Sequence, residues 1–160
     1  MNIFALDNDP ALAARYLCDQ HLGKMLLESA QLLCGPHANA PYKRTHYKHP
    51  CAVWVRECDE NYNWLLNHGE ALAAEYAKRF GKKHASAAMI VWCCTRLADL
   101  SLPVVKEHAP FAQAMPDRYR NADPVTAYRA YYAAEKLTLR GKPVSWTGGD
   151  RVRPPWLPAL

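Results

Sequence analysis

Apolar positions along this chain recur at three- and four-residue intervals, and no run alternates convincingly with period two. Pro10 opens a helical stretch to Leu33, with Asn8 or Asp9 as its cap, a break near Cys18 and a stop at Gly35-Pro36. Residues 35–49 hold one glycine, two prolines and three histidines and are expected to form a loop. Pro50 starts a second helix reaching Phe80, with Trp54, Leu65, Leu72 and Tyr76 at helical spacing and Gly81 as its stop. Ser86 is expected to cap a third, through Met89, Ile90, Val91 and Trp92 to about Leu100. Residues 101–122, with three prolines, are a long connection, and Asp123-Pro124 starts a fourth helix to about Leu139. The expected fold is all-α: residues 1–160 form a single compact domain of about four main helices. Long proline-containing connections join them, and an extended tail, 143–160, packs on the surface through Trp146 and Trp156.

Composition narrows the classes. The 160 residues fit one ordinary domain, and 50% hydrophobic with 22% charged residues excludes disorder of the whole. The longest apolar stretch, 85–94, falls short of the ~20 residues a bilayer span needs. The opening MNIFALDND carries acids where a signal peptide carries bases, so an unexported, cytoplasmic protein is expected. Without an export signal, the six cysteines read as reduced and mostly buried thiols. The net charge of +5 is clustered: Lys43, Arg44 and Lys48; Lys78, Arg79, Lys82 and Lys83; Arg118 and Arg120. Aromatic Tyr42, Tyr47, Phe80 and Tyr119 interleave them, which fits a polyanion partner; solvated helix ends are the plainer alternative.

Four groups of residues are candidates for chemistry. His21, Lys24 and Glu28 share one helical stripe beside the apolar Leu22, Leu26, Ser29 and Leu33. A carboxylate at a core border can serve as acid or base, whereas an exposed Lys24–Glu28 pair would only stabilise the helix slightly. Arg44 and Lys48 precede the helix start at Pro50, where free N–H groups favour phosphate. His46, His49, Cys51 and Cys58 in the same region match no zinc spacing, so no metal and no cofactor is expected. Arg79, Lys82, Lys83 and His84 again feed a helix start. Tyr128, Arg129, Tyr131, Tyr132 and Lys136 could stack on bases or form a core edge.

The order of motifs adds more than any one of them. Leu17-Cys-Asp-Gln20-His21-Leu22 is followed by Glu28, by His49-Pro50 with Trp54-Val-Arg56, and by Lys78-Arg79-Phe-Gly-Lys-Lys-His84-Ala-Ser86. Over about residues 17–86 this resembles, remotely, the pyrimidine-dimer DNA glycosylase family of the phage endonuclease V type. A second likeness, of the opening 26 residues with THYKHPCAVW and AMPDRYR, is to uncharacterised bacteriophage proteins and brings no activity with it. The Tyr128–Tyr132 helix is similar to the aromatic-basic C-terminal segment of the glycosylase family.

The family resemblance implies base excision with a lyase step. An α-amine at the chain start attacks the sugar once the base departs, and Glu28 stabilises the developing charge. His21 orients the terminus or contacts the backbone. Arg44, Lys48, His49, Arg56, Arg79, Lys82, Lys83, His84, Arg129, Tyr131 and Tyr132 become the DNA-binding set. Two departures stand out. Family members expose a small residue after methionine removal, whereas position 2 here is Asn2, so either Met1 or Lys24 supplies the amine or the lyase step is absent. Leu27 and Gln31 stand near Glu28 where the family has arginines. The expected activity is a glycosylase or glycosylase/AP-lyase on a damaged or modified base in DNA. Three alternatives remain: a DNA-binding protein without catalysis, an enzyme on free or modified nucleotides that does not cut DNA, and a host-interaction protein whose only chemistry is packing.

Overall fold

The computed structural model describes residues 1–147 and 153–158. Among the described residues six helices are present: α1 Pro10–Tyr16, α2 Asp19–Cys34, α3 Pro50–Trp54, α4 Asp59–Phe80, α5 Ala87–Cys94 and α6 Pro124–Glu135. Short 3-10 turns cover Leu97–Asp99 and Asp117–Tyr119. The architecture is all-α, as the periodicity implies, apart from one short hairpin. Its strands β1 Thr138–Leu139 and β2 Lys142–Pro143 pair antiparallel, with Thr138 opposite Pro143.

Local chemistry sets the helix starts. The Asp9 carboxylate accepts the N–H groups of Ala11 and Leu12, with Pro10 at the first position of α1. Asp123 does the same for Val125 and Thr126 ahead of Pro124. The expected break near Cys18 is real: Leu17 and Cys18 are both extended, so α1 and α2 are separate helices. Gly81 ends α4 in the left-handed conformation at φ 65°, which a side chain would disfavour.

Expectations for three of the helices are corrected. The second helix does not run unbroken from Pro50 to Phe80: Cys58 is extended at φ −159°. The break is held by Asn61, fully buried, whose Nδ2 donates to Trp54 O at 2.6 Å and whose Oδ1 accepts Ala109 N–H at 2.7 Å. Ser86 does not cap α5; its hydroxyl bonds the Tyr42 hydroxyl at 3.0 Å, and the helix stops at Cys94 rather than Leu100. The last helix ends at Glu135, and the chain turns into the hairpin instead of continuing to Leu139.

The long helix α4 packs on α1 and α2, and α5 lies against both α2 and α4. One core cluster takes buried side chains from Ile3 to Tyr132, including Leu22, Met25, Leu26 and Leu33 of α2 and Tyr62, Leu65 and Leu72 of α4. Gly69 permits the α4–α5 approach, since a Cβ there would meet Ile90 Cδ1 at 2.8 Å. In the tail, Trp146 Nε1 donates to Tyr16 O at 3.0 Å, while Trp156 packs edge-on to Tyr16 and Tyr132. The rest of that expected surface tail, residues 148–152 and 159–160, lies outside the described residues.

Candidate active site

The stripe on α2 and the first residues of the chain meet. Glu28 is nearly buried, with 12% of its side chain exposed, and three nitrogens converge on it. Asn2 N donates to Oε2 at 2.8 Å, while the Met1 amine and Lys24 Nζ stand 3.9 and 3.8 Å from Oε1. Lys24 is 65% exposed, so only the amino end is enclosed with the carboxylate. The Lys24–Glu28 pair expected on the helix exists, but as one edge of a larger cluster.

The amino end reaches α2 because residues 2–6 form a hook. Asn2 Oδ1 accepts the N–H groups of Ile3 and Phe4 at 2.8 and 3.0 Å. Asn2 Nδ2 donates to Ala114 O at 2.8 Å. Phe4 then takes φ 39°, a left-handed conformation that costs energy for a bulky residue. Its ring is fixed by a stack of aromatic neighbours, His21 at 5.8 Å and Tyr131 at 6.1 Å, with Tyr128 and Tyr132 meeting it edge-on.

His21 touches the site through Phe4 rather than through Glu28. The Tyr132 hydroxyl accepts Cys18 N–H at 3.0 Å and pairs with His21 Nδ1 at 2.9 Å. Burial, then Lys136 and Lys24, pulls the His21 pKa down to about 4, so the imidazole is neutral at physiological pH. His49 also titrates below its ordinary value, chiefly through burial, with the chain-start amine and His46 adding and Glu28 opposing. It therefore stands in the field of the same amine and carboxylate, while its Nδ1 accepts Cys51 N–H at the start of α3. Cys51 is fully buried and its thiol is pushed up to about 12 by that burial. Among the described residues no group of three or more His, Cys, Asp and Glu could hold a metal ion.

The basic residues divide into two kinds. Lys48, Lys82 and Lys83 are exposed, and their two loops are joined by the Tyr42–Ser86 bond. His84 in the second loop stacks edge-on to Tyr76 and flanks Gly23, one residue before Lys24. Arg44 and Arg56 share the Tyr47 ring, at 4.7 and 3.5 Å from its centroid, and each donates to a loop carbonyl, Gly35 O and Tyr47 O.

Arg79, in contrast, is turned inward with 5% of its side chain exposed. It bonds Leu17 O, Arg15 O, Asp19 and Glu75, so it ties α4 to the α1–α2 break instead of offering a phosphate contact as expected. Arg129 is likewise committed to Leu6 O and Asp7, with Trp156 beneath it. Tyr132 is fully buried, and this removes it from the base-stacking set; Tyr131 is half-buried between Phe4 and Tyr119.

Asn2 and Ala114 belong to the site although no motif in the sequence assigns them to it, and Tyr128, singled out for its place in the aromatic-basic helix, enters it by holding the Ala112–Ala114 segment. A signal for Asn2 exists, as the residue that departs from the small one expected at position 2; nothing local marks Ala114. Among known proteins, the pyrimidine dimer DNA glycosylase family model matches residues 1–89. No curated protein and no solved structure matches the chain.

Proposed function

The chain belongs to the pyrimidine dimer DNA glycosylase family, and from that premise we propose that it excises a damaged or modified base from DNA through Glu28 and the amine of the chain start. A DNA glycosylase-type function holds at the level of the family. The observation that supports the finer reading is the convergence of the Met1 amine, Asn2 N–H and Lys24 on one enclosed carboxylate.

The chemistry follows from that set. A neutral amine attacks C1′ of the sugar as the bond from C1′ to the base breaks, the base leaving with the bonding pair and taking a proton from solvent. The C1′–O4′ bond then opens, O4′ takes the proton the amine gave up, and the amine nitrogen remains doubly bonded to C1′ as a protonated Schiff base. Glu28 faces the positive charge that develops on the sugar and accepts the proton the attacking amine gives up. As a class, α-amines titrate at about 8 and lysine amines at about 10.4, so a chain-start amine is the better neutral nucleophile at physiological pH. Neutral His21, stacked on Phe4, shapes the enclosure. Exposed Lys24, Lys48, Lys82 and Lys83, with Arg44 and Arg56, supply the charge that holds DNA while the base is extruded, a step costing a few kcal/mol.

One observation favours a second reading, DNA binding without catalysis: Leu27 and Gln31 flank Glu28 where the family resemblance calls for arginines. Borohydride trapping separates the two. Duplexes carrying a cyclobutane dimer, uracil, an abasic site or no lesion are mixed with wild type, Glu28→Gln and Lys24→Ala. The expected result is a covalent band on lesion or abasic DNA that maps to the Met1 peptide and persists in Lys24→Ala. In Glu28→Gln its rate should fall about 10²-fold or more. No band on any duplex, with the DNA still shifted on a gel, overturns the catalytic reading in favour of binding alone.

A further inference from the structure

We infer that Asn2 is a positioning residue, the anchor that holds the amino end of the chain on Glu28; as a statement about catalysis this rests on the reading above. The residue is buried, with 9% of its surface exposed, and its side-chain bonds lie within or behind the hook. Burying an amide is unfavourable unless it is bonded, and here the bonds go to three backbone groups that set the path of residues 2–4. Oδ1 gathers the N–H groups of Ile3 and Phe4, which stabilises the left-handed turn at Phe4. Nδ2 bonds the carbonyl of Ala114, which lies 112 residues away. That segment is itself fixed by Tyr128, whose hydroxyl donates to Ala112 O at 2.5 Å and accepts Ala114 N–H at 3.3 Å.

The consequence falls on the reacting atoms. The same residue's backbone N–H is the one that bonds Glu28 Oε2, and the Met1 amine follows from it to Oε1. A terminus carries only one chain connection and would otherwise sample many directions, so its orientation has to come from such an anchor. The anchor acts on whichever residue begins the mature chain, since removal of Met1 would leave the amine on the Asn2 nitrogen itself, 2.8 Å from Glu28. The larger residue at position 2, which departs from the family pattern, thereby gains a use.

The test compares wild type with Asn2→Leu, which keeps the size and loses every side-chain bond, and with Asn2→Asp, which keeps the acceptor alone. Neither substitution introduces a small residue at position 2, and intact mass establishes the start of each chain. Two readouts are taken: single-turnover borohydride trapping on a preformed abasic duplex beside its Kd, and acylation of the chain-start amine by a water-soluble ester. Asn2→Leu is expected to slow trapping about tenfold or more with Kd within about twofold, Asn2→Asp falling between, and to speed acylation several-fold. Wild-type trapping and acylation rates in Asn2→Leu overturn the inference and leave the glycosylase reading standing.

If wild type forms no adduct, the glycosylase reading fails, and acylation alone decides the anchor: faster in Asn2→Leu upholds it, unchanged overturns it. Should Asn2→Leu not fold, Tyr128→Phe, which frees the Ala112–Ala114 segment, is expected to move both readouts in the same direction by a smaller factor. No movement in that variant overturns the inference.

Discussion

Hydrogen bonds decide which proton a buried imidazole carries, and His68 on α4 is a clear case. Its Nδ1 lies 2.9 Å from Pro10 O, so Nδ1 holds the hydrogen, and the fully buried Nε2 has no partner among the described residues. Burial pulls its pKa down to about 4, the backbone bond opposing. The folded state therefore refuses a proton that the unfolded chain accepts near pH 6.5, so this contribution to stability is complete above about pH 6.5 and lost as pH falls toward 4. The loss from His68 alone amounts to about 3 kcal/mol across that window. Half-buried His21 acts in the same direction. Urea unfolding of wild type should show falling midpoints between about pH 7 and about pH 4.5, and His68→Leu should flatten that slope while lowering stability at neutral pH. An equal slope in the variant would mean that other groups set the acid sensitivity.

At the scale of elements, the end of α4 sorts two kinds of cation within a few residues. Arg79 points inward to the α1–α2 break, whereas beyond Gly81 the turn presents Lys82 and Lys83 to solvent. Arg79→Met removes the cation from Glu75, from the carbonyls of Arg15 and Leu17 and from Asp19, which keeps Ser145 and Thr147, and should cost about 3 kcal/mol or more of stability. The pair Lys82→Ala/Lys83→Ala should leave the melting temperature alone and reduce the slope of log Kd against log salt for DNA. The reduction is expected to reach about 0.9 for each phosphate that is no longer neutralised. A changed salt slope in a still-folded Arg79→Met would reassign that residue to the interface.

The sequence could not separate these roles, because Lys78–Lys83 reads as one basic run until the helix is given neighbours. What it could show were features written locally: Asp9-Pro10, Asp123-Pro124, Gly81 as a stop, and the stripe that puts Lys24 and Glu28 together. The break before α4 stayed hidden because it depends on Asn61 reaching both Trp54 and Ala109. Ser86 looked like a cap because nothing local announces Tyr42. The meeting of Met1 with Glu28 was suggested by resemblance, but the hook that achieves it needs Ala114, Tyr128 and Phe4 at once, which no spacing records.

Across the whole molecule, the family match ends at residue 89, yet much of what encloses the candidate site comes after it. Ala114 bonds Asn2, Tyr132 sets the His21 ring, Tyr131 stacks on Phe4, Arg129 clasps Leu6 O and Asp7, and Trp146 bonds Tyr16 O. The first half thus carries Glu28 and the amine, and the second half closes over the hook that joins them. A chain ending at residue 122, without α6 and the tail, would uncover Phe4 and Cys51 and leave the left-handed Phe4 without the rings of Tyr128, Tyr131 and Tyr132. Strained conformations persist only where their surroundings over-determine them, so the hook should release and the cooperative thermal transition should weaken or disappear. Circular dichroism melting of the truncated chain beside the full one measures this. A truncated protein that melted cooperatively and still protected its chain-start amine from acylation would place the whole site within the first half and make the C-terminal half an accessory to DNA binding.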